Sequence, residues 1–208
     1  MKILFFTSLI VLGSTVCSLS AADPKPLLVD DFNRAELGKG WHVNTGEWKI
    51  VDGVLCVKEI KADKHSAAAR RAIVTQDAVY EFRFRFVGEG KGFHFGFDPA
   101  KGELKKKGHL FSVIVTPDSW RLMKHVDKAK PKEDPNKVLA TAKATFKKGE
   151  WYSLCVESKG DNVTASIKGV GELKGSHPTF HVKKPTLVFR CLGDGVEIDD
   201  IRVRQLSK

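Results

Sequence analysis

The residues best able to do chemistry sit on two alternating segments. In Tyr80-Glu81-Phe82-Arg83-Phe84-Arg85-Phe86 four aromatics alternate with Glu81, Arg83 and Arg85. In Phe93-His94-Phe95-Gly96-Phe97-Asp98 three phenylalanines alternate with His94, Gly96 and Asp98. Period-two alternation is the signature of a strand with one buried face. If the aromatic faces are sealed together, Arg83, Arg85, His94 and Asp98 emerge on a polar surface. Guanidinium and carboxylate groups form paired hydrogen bonds to hydroxyls, and an imidazole exchanges protons near neutral pH. His94 and Asp98 are therefore the catalytic candidates. His109, Ser112, Trp120 and His125 are expected to join the same ligand-binding face, Trp120 by offering a flat apolar ring. The alternative is a solvated sheet face whose charges serve solubility. Trp41, Trp48 and Trp151 read as core.

Familiar catalytic motifs are missing. The chain has no G-x-S-x-G, no H-E-x-x-H and no phosphate-binding loop. Cys56, Cys155 and Cys191 lack metal-ligand spacing and lie in apolar stretches. They read as small hydrophobes, with a Cys155–Cys191 bridge open if their strands are neighbours.

The elements that must hold these side chains are short strands. They are expected near residues 27–32, 47–51, 54–59, 109–116, 120–126, 138–146, 151–157, 163–167, 186–192 and 196–204, besides the two aromatic segments. Asp52-Gly53, Pro117-Asp118, Gly160-Asp161-Asn162 and Gly193-Asp194-Gly195 punctuate them as turns. Gly88-Glu89-Gly90-Lys91-Gly92 reads as the turn between the aromatic strands. Residues 66–72 are read as strand or loop, and residues 127–137 as an exposed, Pro-rich loop. Many short strands with Gly/Asp turns predict an all-β, two-sheet antiparallel sandwich.

Residues 1–22 carry Lys2, an apolar run from Ile3 to Leu12 and small residues ending at Ala22. This is the pattern of a secretory signal peptide cleaved after Ala22, which implies export to the periplasm or medium. No later stretch is long and apolar enough to span a membrane. Residues 23–208 then form a single domain, expected to be a monomer. The formal net charge is +10. Its lysines fall at separate turns, such as Lys105-Lys106-Lys107 and Lys183-Lys184, and no nucleic-acid-binding motif accompanies them. A nucleic-acid partner is not expected.

Three segments carry a family resemblance. Asp31-Phe32, Trp41 and the run Trp48-Lys49-Ile50-Val51-Asp52-Gly53-Val54-Leu55 resemble the start of bacterial secreted concanavalin A-like domains. Gly149, Trp151, Leu154, Val156, Gly160, Val163, Ile167 and Gly169 match the family's hairpin, and Val196–Arg204 its closing strand. The nearest group is the 3-keto-disaccharide hydrolase, or glycoside-hydrolase-16-like, domain. The resemblance implies a jelly roll that holds a poly- or oligosaccharide in the groove of its concave sheet.

Glu197-Ile198-Asp199-Asp200-Ile201-Arg202 resembles the start of the E-x-D-x-x-E motif of family 16 glucanases, with Arg202 where the third carboxylate stands. Its aspartates have a structural use. The resemblance, and the closeness of first and last strands in such sandwiches, imply that Asp30, Asp31, Asp199 and Asp200 supply oxygen ligands to a calcium ion. The leading expectation is a secreted glycan-binding module. The alternatives are a glycoside-type hydrolase related to the keto-sugar group and a non-enzymatic envelope protein.

Overall fold

The computed structural model describes residues 25–206. The expected leader and its cleavage point lie outside them. Thirteen antiparallel strands and one 3-10 turn, Lys61–Asp63, make up the described residues; no α-helix occurs among them. The strands are β1 Leu28–Asp30, β2 Trp41–Thr45, β3 Glu47–Val51, β4 Val54–Lys58, β5 Ala67–Thr75, β6 Ala78–Phe97, β7 Phe111–Thr116, β8 Ser119–Lys124, β9 Lys137–Lys143, β10 Tyr152–Lys159, β11 Asn162–Ile167, β12 Gly171–Ser176 and β13 Lys184–Gln205.

Two strands organise the rest. β6 and β13 pair along almost their whole length, from Leu187↔Phe97 to Gln205↔Ala78. The first half of β6 and the second half of β13 belong to one layer, ordered β12-β11-β10-β6-β13-β4-β3, with β1 also on β13. The other halves belong to a second layer, ordered β2-β5-β13-β6-β7-β8-β9. Hydrogen bonding thus links all thirteen strands, and the two long strands fold the sheet over on itself.

Apolar burial drives that fold-over. Tyr80, Phe82, Phe84 and Phe86 meet Phe93, Phe95 and Phe97 from the same strand: Phe84 stacks on Phe93 with centroids 5.3 Å apart, and Tyr80 lies 4.7 Å from Phe97. Phe189 of β13 wedges against Phe82 and Phe95 at 5.7 and 5.2 Å. Each such ring buries a large apolar area.

The bend itself needs glycine. A Cβ on Gly88, at φ 51°, would come within 2.3 Å of the Asp194 carbonyl, and one on Gly195, at φ 121°, within 2.4 Å of the Val87 carbonyl. The segment expected as a turn between two strands is therefore a bend inside one continuous strand. The segments around residues 186–192 and 196–204 likewise form one strand. Three strands escaped the sequence reading or were left open: β2, β12 and β5, whose inward alanines give a weak apolar signal.

Further corrections concern single residues. Trp120, expected on the ligand face, is 1 % exposed in the core. Trp151, expected in the core, lies outside it, with the guanidinium carbons of Arg83 and Arg85 at 4.7 and 4.5 Å from its ring. Cys56, Cys155 and Cys191 are free thiols, so the Cys155–Cys191 bridge does not form. No helix among the described residues is long and apolar enough to cross a membrane.

Candidate functional site

The fold-over separates the expected site residues. Arg83 and Arg85 alternate out of the first layer, whereas His94 alternates out of the second, and the Phe84–Phe93 stack lies between them. On the first layer, Arg83 donates to Asp199 at 2.5 Å and pairs with Asp200 at 2.9 Å. Arg85 donates to Glu197 at 2.5 Å. The carboxylates of the Glu197–Asp199 stretch are thereby neutralised in a cross-strand ladder, which is a packing arrangement rather than an acid/base pair.

The aspartates expected to bind calcium do not fit that ion. Asp30 is 4 % exposed and receives both Arg34 Nη1 (2.6 Å) and Nη2 (3.1 Å), with Trp41 Nε1 at 2.9 Å. Asp31 turns the other way and accepts from the Asn33 backbone N–H at 3.1 Å. Asp199 and Asp200 face Arg83. Calcium needs six to eight converging oxygens, and no cluster of three or more His, Cys, Asp or Glu suited to a metal occurs among the described residues. Guanidinium groups take the positive role here.

The second layer gathers the remaining candidates. Strand register sets Arg190 beside His94, His94 beside Ile114, and Ile114 beside Arg121. The next row runs His42, Arg70, Val188, Gly96, Ser112 and Met123. His109 precedes β7 and Asp98 follows β6; the Leu110 N–H donates to the Phe97 carbonyl, and the His125 N–H to the Leu110 carbonyl. That short extension brings Asp98, His109 and His125 to one end of the face. Gly96 clears the floor: a Cβ there would meet the Ser112 hydroxyl at 2.3 Å. His94, His109, Ser112, His125, Val188 and Arg190 line a depression of about 10 Å³, space for about one water.

Hydrogen bonding fixes how His109 is held. Arg190 Nη2 contacts His109 Nε2 at 3.1 Å. A guanidinium has no lone pair to offer, so Nε2 accepts and Nδ1 carries the ring proton. Nδ1 donates to Asp98 Oδ1, and Arg70 Nε donates to Asp98 Oδ2 at 3.2 Å. The result is a chain from Arg70 through Asp98 and His109 to Arg190. Burial pushes the Asp98 carboxyl upward, but the hydrogen bond from His109 and the neighbouring Arg70 outweigh it and leave the group below the usual carboxylate range.

His94 and His125 are held in the neutral form. Burial, then Arg190, Arg121 and His109, bring His94 down to about 4. Burial, then His109, His94, Arg190 and Lys106, bring His125 down to about 3. His125 Nε2 lies 2.8 Å from the Ser112 hydroxyl, and its ring is 5.5 Å from that of His109.

Sequence reading missed Arg70, Arg121 and Arg190. Each stands in the polar register of its strand, yet nothing local says which strands share a layer. The net charge is consequently concentrated. None of the second-layer segments, including residues 92–97 of β6 and 184–192 of β13, contains Asp or Glu; Asp98 is the carboxylate at their border.

The architecture is that of the concanavalin A-like jelly roll. A carbohydrate-binding module of family 66 from Bacillus subtilis superposes with TM-score 0.61 at 16 % identity, over 80 % of this chain and 96 % of that one. The laminarinase from Rhodothermus marinus gives 0.68 at 10 % identity, over 88 % and 98 %. A non-specific endo-β-1,3(4)-glucanase of family GH16 gives 0.66 at 14 %, over 88 % and 93 %. No curated protein matches the chain in sequence. The family model of the 3-keto-alpha-glucoside-1,2-lyase-like domain matches residues 28–204, and the chain belongs to that family.

Proposed function

We propose that the outer face of the second layer handles a sugar outside the cytoplasm, and that the chain catalyses elimination across C1–C2 of a glycoside already oxidised to a ketone at C3. The observation that carries this reading is the inventory of the face. One carboxylate, Asp98, is committed to orienting His109 among the guanidiniums of Arg70, Arg121 and Arg190. A glycosidase of the usual kind needs two carboxyl groups flanking the bond. Elimination beside a ketone needs one base and a cation near the carbonyl oxygen.

His109 is the base. Asp98 holds the Nδ1 proton; once Arg190 turns its Nη2 from Nε2 to the substrate's C3 oxygen, the Nε2 lone pair takes the proton from C2. Arg190, adjacent to Nε2, stabilises the enolate oxygen that develops at C3. The electron pair then forms the C1=C2 double bond as the C1–O bond breaks, and the departing alkoxide takes a proton from His109 or water. His94, having no hydrogen-bonding partner among the described residues, is free to contact sugar hydroxyls.

The product is an unsaturated ketone and absorbs in the near ultraviolet. Incubation with methyl 3-keto-α-glucoside is expected to produce that absorbance, and His109→Gln to abolish it. A second reading, glycan binding without turnover, draws on the small volume of the depression. Calorimetric binding of the keto-glucoside with no absorbance change would favour it and overturn the elimination.

A further inference from the structure

Five arginines off the outer face of the second layer are matched with carboxylates: Arg34 and Arg71 with Asp30, Arg83 with Asp199 and Asp200, Arg85 with Glu197, Arg204 with Glu81; the exposed Arg202 is not. On the outer face of the second layer two arginines lack a carboxylate partner. Arg121 is exposed and has neither a hydrogen bond nor an ion pair among the described residues. Arg190 spends Nη2 on an imidazole nitrogen rather than a carboxylate, and its buried Nε has no partner. The single carboxylate, Asp98, is shared between His109 and Arg70. Two guanidiniums therefore stand unneutralised on either side of His94, three strand spacings or about 14 Å apart at Cα.

Leaving the half-buried Arg190 uncompensated is costly unless an anion arrives to meet it, and the exposed Arg121 is free to reach the same anion. We infer that the sugar accepted by this face is acidic: a 3-keto-glycoside carrying a carboxylate, laid over His94 between Arg190 and Arg121. The inference rests on the elimination proposed above and specifies its substrate class. A carboxylate suits the site because its two oxygens match the planar donor fork of a guanidinium. The enolate oxygen occupies Arg190 during the reaction, so Arg121 is the group left to read the substituent. Burial and the same arginines depress His94, consistent with a positive field at the centre of the face.

A matched pair of substrates tests this: methyl 3-keto-α-glucoside and its C6 carboxylate, methyl 3-keto-α-glucosiduronate. Turnover is followed by enone absorbance and binding by calorimetry. The acid is expected to show kcat/KM about tenfold higher than the neutral sugar. That preference should shrink severalfold as salt is raised to about 0.5 M, and Arg121→Gln should remove most of it. Equal or better turnover of the neutral sugar overturns the acidic preference while leaving the elimination standing. If neither compound is turned over or bound, the elimination reading fails and the acidic preference with it. A preference that survives both salt and Arg121→Gln overturns the assignment to Arg121.

Discussion

Phe84 and Phe93, nine residues apart on one strand, stack face to face at 5.3 Å and put their neighbours Arg83 and His94 on opposite sides of the molecule. The polar residues that alternate with the aromatics therefore serve two surfaces. The first layer's outer face is charge-balanced and cross-linked; the second layer's is basic and holds an oriented imidazole.

This division is testable at Arg83. Replacing it with methionine leaves Asp199, whose side chain is 6 % exposed, without its strongest partner. A stability loss of about 1–3 kcal/mol is expected in urea denaturation, with keto-glucoside turnover unchanged. A large loss of turnover in a folded Arg83→Met protein would return that arginine to the site.

Asp98→Asn probes the dyad. An amide can donate to Nδ1 and so favours the wrong tautomer of His109. Turnover should fall about 10²–10⁴-fold, while the melting temperature changes little because Asp98 sits at the edge of the layer. Retention of more than half the activity would show that His109 does not need its partner.

Stability should depend on pH through His94 and His125. Both are harder to protonate folded, near 4 and 3, than unfolded, where histidine titrates near about 6.5. Below that pH the unfolded chain binds more protons, so stability falls as pH drops from about 6.5 toward 4. The Asp98 carboxyl acts lower, below about 3.9. Each histidine contributes on the order of 2 kcal/mol. Denaturation midpoints across this range should decline in the wild type and flatten in His94→Gln/His125→Gln; identical slopes would contradict the assignment.

Chelation gives a sharp contrast with the calcium expectation. Arg34, Trp41 and Arg71 surround Asp30, and Arg83 holds Asp199. The melting temperature is expected to be the same with and without excess EDTA or added calcium. A rise of several degrees on adding calcium would show that the carboxylates converge on an ion after all.

The aromatic alternation made the sandwich legible because period two states directly which side chains are buried. It could not show that Phe86 and Phe93 belong to one bent strand, since the glycines that permit the bend also read as a turn. Site legibility failed for the same reason. His94, Asp98, His109, Ser112 and His125 are brought together, as the alternation suggested. Arg83 and Arg85 are removed by the fold-over, and Trp120 is removed by burial. Arg190 and Arg70 come from β13 and β5, whose adjacency to β6 is a long-range pairing that carries no local signal. The aspartate pairs looked like oxygen ligands only while their arginine partners were out of sight.

A crystal structure of the protein soaked with the unsaturated keto-sugar product decides where the sugar sits. Density is expected on the outer face of the second layer, with the sugar over His94 and its C2 next to His109 Nε2 and Arg190. Density instead on the first layer, over Trp151, with the face around His94 bare, would contradict it.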